Sequence, residues 1–388
     1  MADLEIHAYN VGFGDAILVR VPRDTPTADS AFWTILIDGG NAFAKAGGDD
    51  GVLVDAMERI HDKTGGSLDL YIMTHEHLDH VQGPLLLKKR KEKTFTAKRV
   101  WMTSSSAPGY YQAHPEAEKK HLQTKNLLDI IERQKALLPM SDQSDLSLLL
   151  ALNNHRSTQD CVDHIRDDMR DAEDGVDYIH AEVKKRTIGK SHGIRDVTIE
   201  VWAPEEDTSC YYGPIRPLTM AAAPGQSAAT LEPAHPTPPA GVAMADFYRL
   251  VKSRDAGFFG NALMIDKAGN NSSIVFLLTW KGRRLLFAAD AEERSWQHMR
   301  GRVALSKVDF LKISHHGSRN GTPDDLLDHL LGPPGSAPRT KTLVSTAEGQ
   351  YGGVPDDGLL SALKQRSELH DTRDVPLGEA LTLTITPL

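Results

Sequence analysis

The chain has 388 residues, 40 % hydrophobic and 25 % charged, the composition of an ordinary globular protein built as one large domain with insertions or as two domains. It contains no run of about 18 uninterrupted apolar residues and no cationic start leading into a long apolar stretch, so the expectation is a cytoplasmic protein with no membrane partner. Two cysteines, Cys161 and Cys210, are too few for a disulfide framework, and a formal net charge of −9 excludes a protein that coats nucleic acid through bulk attraction.

From Leu4 to Arg20, "LEIHAYNVGFGDAILVR" alternates and then runs apolar around Gly12 and Gly14, which predicts two strands joined by a tight turn. "AFWTILIDGG" (31–40) is a short β-branched run stopped by two glycines. "DGVLVDAMERIHDKTG" has helical spacing and a glycine stop, and "SLDLYIMTH" (67–75) predicts another strand. Strand, helix and strand in such short order imply an α/β layered core.

After "KRVWMTSSS" (98–106) the texture changes. "PEAEKKHLQTKNLLDIIERQKALL" and "TQDCVDHIRDDMRDAEDGVDYIHAEVKKR" carry helical spacing, many charges and few β-branched residues. Residues 108–190 are therefore expected to form a helical insertion between a first half of the core at 1–107 and a second at 191–388. "DVTIEVWAP" (196–204) returns to strand, and the Pro/Ala-rich stretch at about 213–245 has too little bulky apolar content to pack, which predicts a mobile loop. Strand texture resumes in "NNSSIVFLLTW" (270–280), "RRLLFAAD" (283–290), "KVDFLKISHHGS" (307–318), "KTLVSTA" (341–347) and "ALTLTITPL" (380–388).

The densest chemistry lies in "YIMTHEHLDHVQG" (71–83). His75 and His77 are two apart, so on extended chain they project to the same side, which suits two imidazoles gripping one metal ion. Asp79 and His80 follow where Val81-Gln82-Gly83 could open a helix, within reach of a second ion. Nitrogen and carboxylate ligands with open positions are what a hydrolytic Zn²⁺, Mn²⁺ or Fe site requires. A polar surface turn does not account for four ligand-type residues directly after an apolar strand. Glu76 is expected to point away.

"THEHLDH" resembles the HxHxDH signature of the metallo-β-lactamase fold, and further elements follow in the order that family uses. "ILIDGG" resembles the early strand whose aspartate, here Asp38, supports the metal ligands; "LLFAADAEE" resembles the strand ending in a metal-bridging aspartate, here Asp290. "LKISHHGS" resembles the last ligand-bearing strand and offers His315 or His316. The combination of "NVGFGDAILV", "NNSSIVFLL", "LLFAADAEE" and "LKISHHGS" is similar to the metallo-hydrolase domain of ComEC-type DNA-uptake competence proteins and their stand-alone relatives. It covers the chain ends and core strands, not the insertion or the Pro/Ala-rich stretch.

This resemblance implies an α/β chain folded as a metallo-β-lactamase-like αββα sandwich, holding two divalent ions, Zn²⁺ or Mn²⁺. His75 and His77 would hold one ion, Asp79, His80 and His315 the other, with Asp290 and a hydroxide bridging them and Asp38 orienting His75 or His77. His315 is preferred because it directly ends its strand; His316 is the alternative ligand, or else protonates the leaving group or binds phosphate. Where many members of the fold carry a further histidine, "AGNNSSIVF" offers only Asn270 or Asn271, a weak ligand or none, which predicts an under-coordinated His75/His77 ion. His114 or His121 could supply the missing ligand.

Asp79, His316 and Asp38 are thus the candidate catalytic residues, and Ser318, Arg319 and Asn271 the candidate substrate contacts. Asp15 has equally good readings as a turn-satisfying aspartate and as a support to the site, while alternation along "FLKIS" aims Lys312 away from it. The run "KKRKEK" (88–93) reads first as a solvated helix end and second as a phosphate-tracking patch. The resulting expectation is a phosphodiesterase or nuclease with DNA as substrate. The alternatives are a hydrolase of a small-molecule ester, lactone or cyclic nucleotide, and an effector whose acidic segment "DHIRDDMRDAEDG" docks a regulatory protein partner.

Overall fold

Period-two alternation divides most strands of this chain between two apolar environments. Leu4, Ile6, Ile17, Val19, Ile35 and Ile37 point to one side and meet Val197, Ile199, Phe276, Leu278, Leu285 and Phe287 from elsewhere in the chain. Leu18 and Leu36, from the same early strands, point to the other side and pack with Leu53, Met57 and Ile60 of a helix. Strands buried on both faces need a layer on each, and that requirement produces helices outside two stacked sheets.

The computed structural model describes residues 2–25, 31–42, 50–134, 149–153, 155–172, 175–182, 186–188, 196–213, 262–336, 340–347 and 353–388. In the first seven-stranded sheet the order is Ala380–Ile385, Leu4–Tyr9, Ile17–Pro22, Phe32–Ile37, Leu70–Ile72, Val100–Thr103 and Val176–Ile179. The second runs Ser367–Asp371, Thr340–Val344, Phe310–Lys312, Arg283–Phe287, Val275–Trp280, Val197–Ala203 and Arg186–Ile188. Each sheet is antiparallel over part of its width and parallel over the rest. The Gly51–Thr64 and Leu78–Lys91 helices cover the first sheet, and Glu293–Arg300, Asp324–Leu331 and Asp357–Arg366 cover the second. The architecture is the αββα sandwich that the resemblance implies.

Two sequence expectations change. "VDYI" is a strand, not the end of a helix: Val176–Ile179 pairs in parallel with Val100–Thr103 and buries Ile179 between the sheets. Residues 262–271 are helical, so Asn270 and Asn271 end a helix and the strand begins only at Val275. Pro115–Gln134 and His155–Asp163 are helices. The Pro/Ala-rich stretch, apart from Gly213, lies outside the described residues.

The sheet ends meet the Leu78–Lys91 helix across glycines. Gly39 N–H donates to His80 O (2.8 Å), Asp15 N–H to Asp79 O (3.1 Å) and Gly83 N–H to Gly39 O (2.6 Å). A Cβ on Gly40 would run into the Asp79 carbonyl carbon and the His80 nitrogen, and one on Gly14 into the Gly40 and Asp79 carbonyls. Only glycine lets these backbones approach so closely. Gly40→Ala should therefore destabilise the fold by roughly 3 kcal/mol, the upper part of the overpacking range, read as a lowered denaturation midpoint; an unchanged midpoint would mean the loop is free to shift.

Candidate metal centre

Three strand ends and the start of a helix converge on one point between the sheets. Leu70–Ile72 leads through Met73 and Thr74 to His75, and His77 precedes the Leu78–Lys91 helix, whose first turn carries Asp79 and His80. From the second sheet, Arg283–Phe287 leads to Asp290 and Phe310–Lys312 leads to His315 and His316. Asp38, Ala289, His315 and His316 all have positive φ, between 45° and 55°, a region that L-residues avoid. Backbone strain is thus concentrated around this point.

Asp79, His80, Asp290 and His316 each bring a ligand atom within 4.8 Å of the other three, and all are buried. His80 Nε2 lies 3.2 Å and His316 Nε2 3.1 Å from Asp290 Oδ2, and His316 Nε2 lies 3.3 Å from Asp79 Oδ2. The far side of each ring is fixed. His80 Nδ1 is 2.8 Å from Asp38 Oδ2, and His316 Nδ1 donates to Ser345 O (2.9 Å), which leaves both Nε2 atoms facing the carboxylates. Asp38 is fixed in turn by Thr74, whose N–H (2.8 Å) and hydroxyl (2.7 Å) donate to it.

The placement corrects two expectations. His316, not His315, completes this set, because the turn swings His316 inward against Phe13 and sends His315 toward Glu292. Asp38 orients His80 rather than His75 or His77; it reaches His75 only through the Thr74 hydroxyl, 3.1 Å from His75 Nδ1. The His75 ring lies tilted against His80 at 4.1 Å between centroids and edge-on to His77 at 4.7 Å, and His75 Nε2 has no hydrogen-bond partner. His77 Nε2 is 3.2 Å from Asn153 Oδ1, so the insertion reaches the site, a contact the sequence did not signal.

The candidate substrate contacts lie elsewhere. Arg319 is half-exposed and pairs with Asp324 and Asp356, Ser318 donates to Asn320, and Asn271 Oδ1 accepts from the Glu292 (3.2 Å) and Ser295 (2.9 Å) amides at the start of a helix. Lys312 was expected to point away and does not. It shares a side with Phe310, between the sheets, and its buried Nζ lies 2.5 Å from Asp15 Oδ2 and 3.7 Å from Asp290 Oδ1. Asp15 is thereby a support to the site through Lys312. Glu76 accepts from the Ser106 hydroxyl (2.6 Å), and His114 and His121 stack on Tyr110 and Tyr111, outside every described donor group.

Four of the five basic residues in the run are paired within the chain: Lys88 with Asp168, Arg90 with Asp50, Lys91 with Glu58, and Lys93 with Glu58 and Asp62. The acidic segment is likewise engaged, Asp163 and Asp167 with Arg166 and Asp168 with His164. A cleft framed by the insertion leads inward past Tyr111, Tyr212 and Asn153 to His75 and His77.

No protein-family model matches the chain, and no curated protein matches it. Among solved structures, the metallo-β-lactamase fold protein YhfI from Bacillus subtilis is similar at 12 % identity and a TM-score of 0.36, covering 98 % of this chain and 100 % of that one. The chain itself is an αββα sandwich with buried histidine and aspartate groups able to bind metal.

The donors fit a divalent cation. His75 Nε2, Asp79 Oδ1 and Asp290 Oδ1 are buried with no hydrogen-bond partner, a costly arrangement for polar atoms with nothing to bind. Burial opposes charge on His80 and His316, yet the neighbouring carboxylates of Asp290 and Asp79 override it, raising His80 well above the ordinary histidine range and His316 to about 10. The ionised carboxylates beside them thus favour the imidazolium form of both rings. Their stabilisation is complete below the ordinary histidine pKa and is lost as pH rises through the folded-state values. A divalent ion would carry the charge of the two protons it displaces. Titration calorimetry should therefore show Mn²⁺ or Zn²⁺ affinity rising with pH as the ion displaces protons from these rings; pH-independent affinity would contradict this donor assignment.

Proposed function

We propose that the protein is a metal-dependent hydrolase of phosphodiester bonds, with DNA the substrate that the sequence resemblance implies. The observation that carries the reading is the buried set Asp79, His80, Asp290 and His316, its free nitrogen and oxygen atoms aimed at one another, with His75 and His77 beside it. Ions held there would polarise a phosphoryl or carbonyl group and activate water, so no protein nucleophile is required.

The chain's own contribution is orientation. Asp38 and Ser345 hold the two imidazoles in the tautomer that presents Nε2, Lys312 offsets the carboxylate charge around Asp290, and the buried walls exclude bulk water. Tyr111 and Tyr212 line the way in and offer aromatic surface to a base or sugar ring.

One observation favours the second reading, a small-molecule ester, lactone or cyclic nucleotide. Among the described residues of the cleft, Glu76, Asp129, Glu132 and Asp160 outnumber Lys125 and Arg166, the opposite of a polyanion track. The test is to offer the Mn²⁺- or Zn²⁺-loaded protein supercoiled plasmid, single-stranded DNA and bis-p-nitrophenyl phosphate, alongside Asp290→Asn. The proposal expects plasmid loss that falls by about 100-fold or more in the variant. Turnover of the small diester with intact DNA would leave a phosphodiesterase whose substrate is not DNA, as the cyclic-nucleotide form of the second reading expects, and no turnover by protein that holds metal would refute phosphodiester hydrolysis at this site.

A further inference from the structure

Next to the four-residue set lies a second group of ligand-type side chains. Asp266 on the 262–271 helix, Glu292 just beyond Asp290, and His315 bring ligand atoms within 4.8 Å of one another, all buried. His315 Nδ1 lies 3.2 Å from Glu292 Oε1. The Asn270 amide sits among them, its Nδ2 donating to Asp266 Oδ2 (3.2 Å) and Glu292 Oε1 (2.9 Å) and lying 3.3 Å from His315 Nε2. A small cavity joins this group to the first set, lined by His77, Asp79, Asp266, Asn270, Asp290 and His315, with Phe13 and Leu152 as apolar walls.

Two carboxyl groups and an imidazole could be a self-contained hydrogen-bonded cluster. One atom does not fit that description. Asn270 Oδ1 has no hydrogen-bond partner, in a residue only 1 % exposed that lines the cavity. A buried amide oxygen left unsatisfied costs about 1–3 kcal/mol, and a rotation of the amide, which exchanges its nitrogen and oxygen, would turn that oxygen toward the carboxylates. Oxygen facing two ionised carboxylates there calls for a positive centre between them, a metal ion or a proton. His77, on the facing wall, is tied to the same group, since the Asn153 amide bridges His77 Nε2 (3.2 Å) and Asp266 Oδ1 (3.0 Å).

We propose that Asp266, Glu292 and His315, with the Asn270 amide oxygen, hold the second divalent ion, in place of the histidine absent from "AGNNSS" and facing His77 across the cavity. The proposal rests on the metal-dependent reading. Two carboxylates, an imidazole and an amide oxygen form a mainly oxygen donor set, which suits Mn²⁺ and accepts Zn²⁺ but does not select soft ions. The His315 ring, excluded from the first set by its turn, thereby acquires a ligand role of its own.

The test is metal stoichiometry, independent of any substrate. The metal-free protein is dialysed against Mn²⁺ and its content measured by elemental mass spectrometry, for the native chain, Asp266→Asn, His315→Gln and His316→Gln. The expected result is two ions in the native chain and one in each of Asp266→Asn and His315→Gln, the lost ion binding at least ~100-fold more weakly; its retained partner shows that the variant is folded. Two ions retained in both variants would overturn the proposal. A native chain holding one ion that His316→Gln removes would overturn it while sparing the first set, and a native chain holding none would bring down the metal-dependent reading as well.

Discussion

A carboxyl group or imidazole that loses its water must gain a charge or hydrogen bond in exchange, and this chain removes water from an unusual number of them at one place. Asp15, Asp38, Asp79, His80, Asp290, Lys312 and His316 are all buried where the sheet ends meet. Each has a specific partner, from the Lys312–Asp15 pair to the Ser345 carbonyl behind His316. The rest of the local structure follows from keeping those partners in register. Glycine at 14, 40 and 83 lets the backbones close around the helix start, and positive φ at Asp38, Ala289, His315 and His316 turns the side chains inward. Such strain persists only where the surroundings over-determine it.

The sandwich supplies the rigidity and the insertion supplies the approach. Both sheets are anchored by apolar residues on each face, so the strand ends that carry Asp290 and His316 have little freedom. The helices after Ser106 stand over His75 and His77, and Asn153 from that region touches the donor set directly. On the proposed reading, a cleft built by the insertion over fixed donors would let substrate choice change without disturbing them.

Much of the site was legible in the sequence because its largest part is contiguous. In "THEHLDH" the ligand types follow an apolar strand and open a helix, and both periodicities are visible in the letters. Asp38 and Asp290 could be located only through the resemblance, and Asp38's choice of His80 over its neighbours depends on a turn that spacing does not describe. His315 and His316 are adjacent residues of the same type, so only the turn's dihedral angles separate their directions. Lys312 was misjudged because a three-residue strand gives too little alternation to fix its phase. Asp266 and Asn270 are four apart, a helical spacing hidden while "NNSSIVFLL" was read as strand from its first residue. The basic run looked available only because Asp50, Glu58, Asp62 and Asp168 lie far from it or across a helix, and no local pattern reveals such partners.

The central claim is that the buried aspartates and histidines are arranged for a cation and not for one another. Crystals soaked in Mn²⁺ and measured at a wavelength where manganese scatters anomalously test it without reference to substrate or activity. The account predicts an anomalous peak within bonding distance of Asp79, His80, Asp290 and His316. A map with no peak among these residues, and with both imidazoles still directly paired to the Asp290 carboxylate, would contradict it.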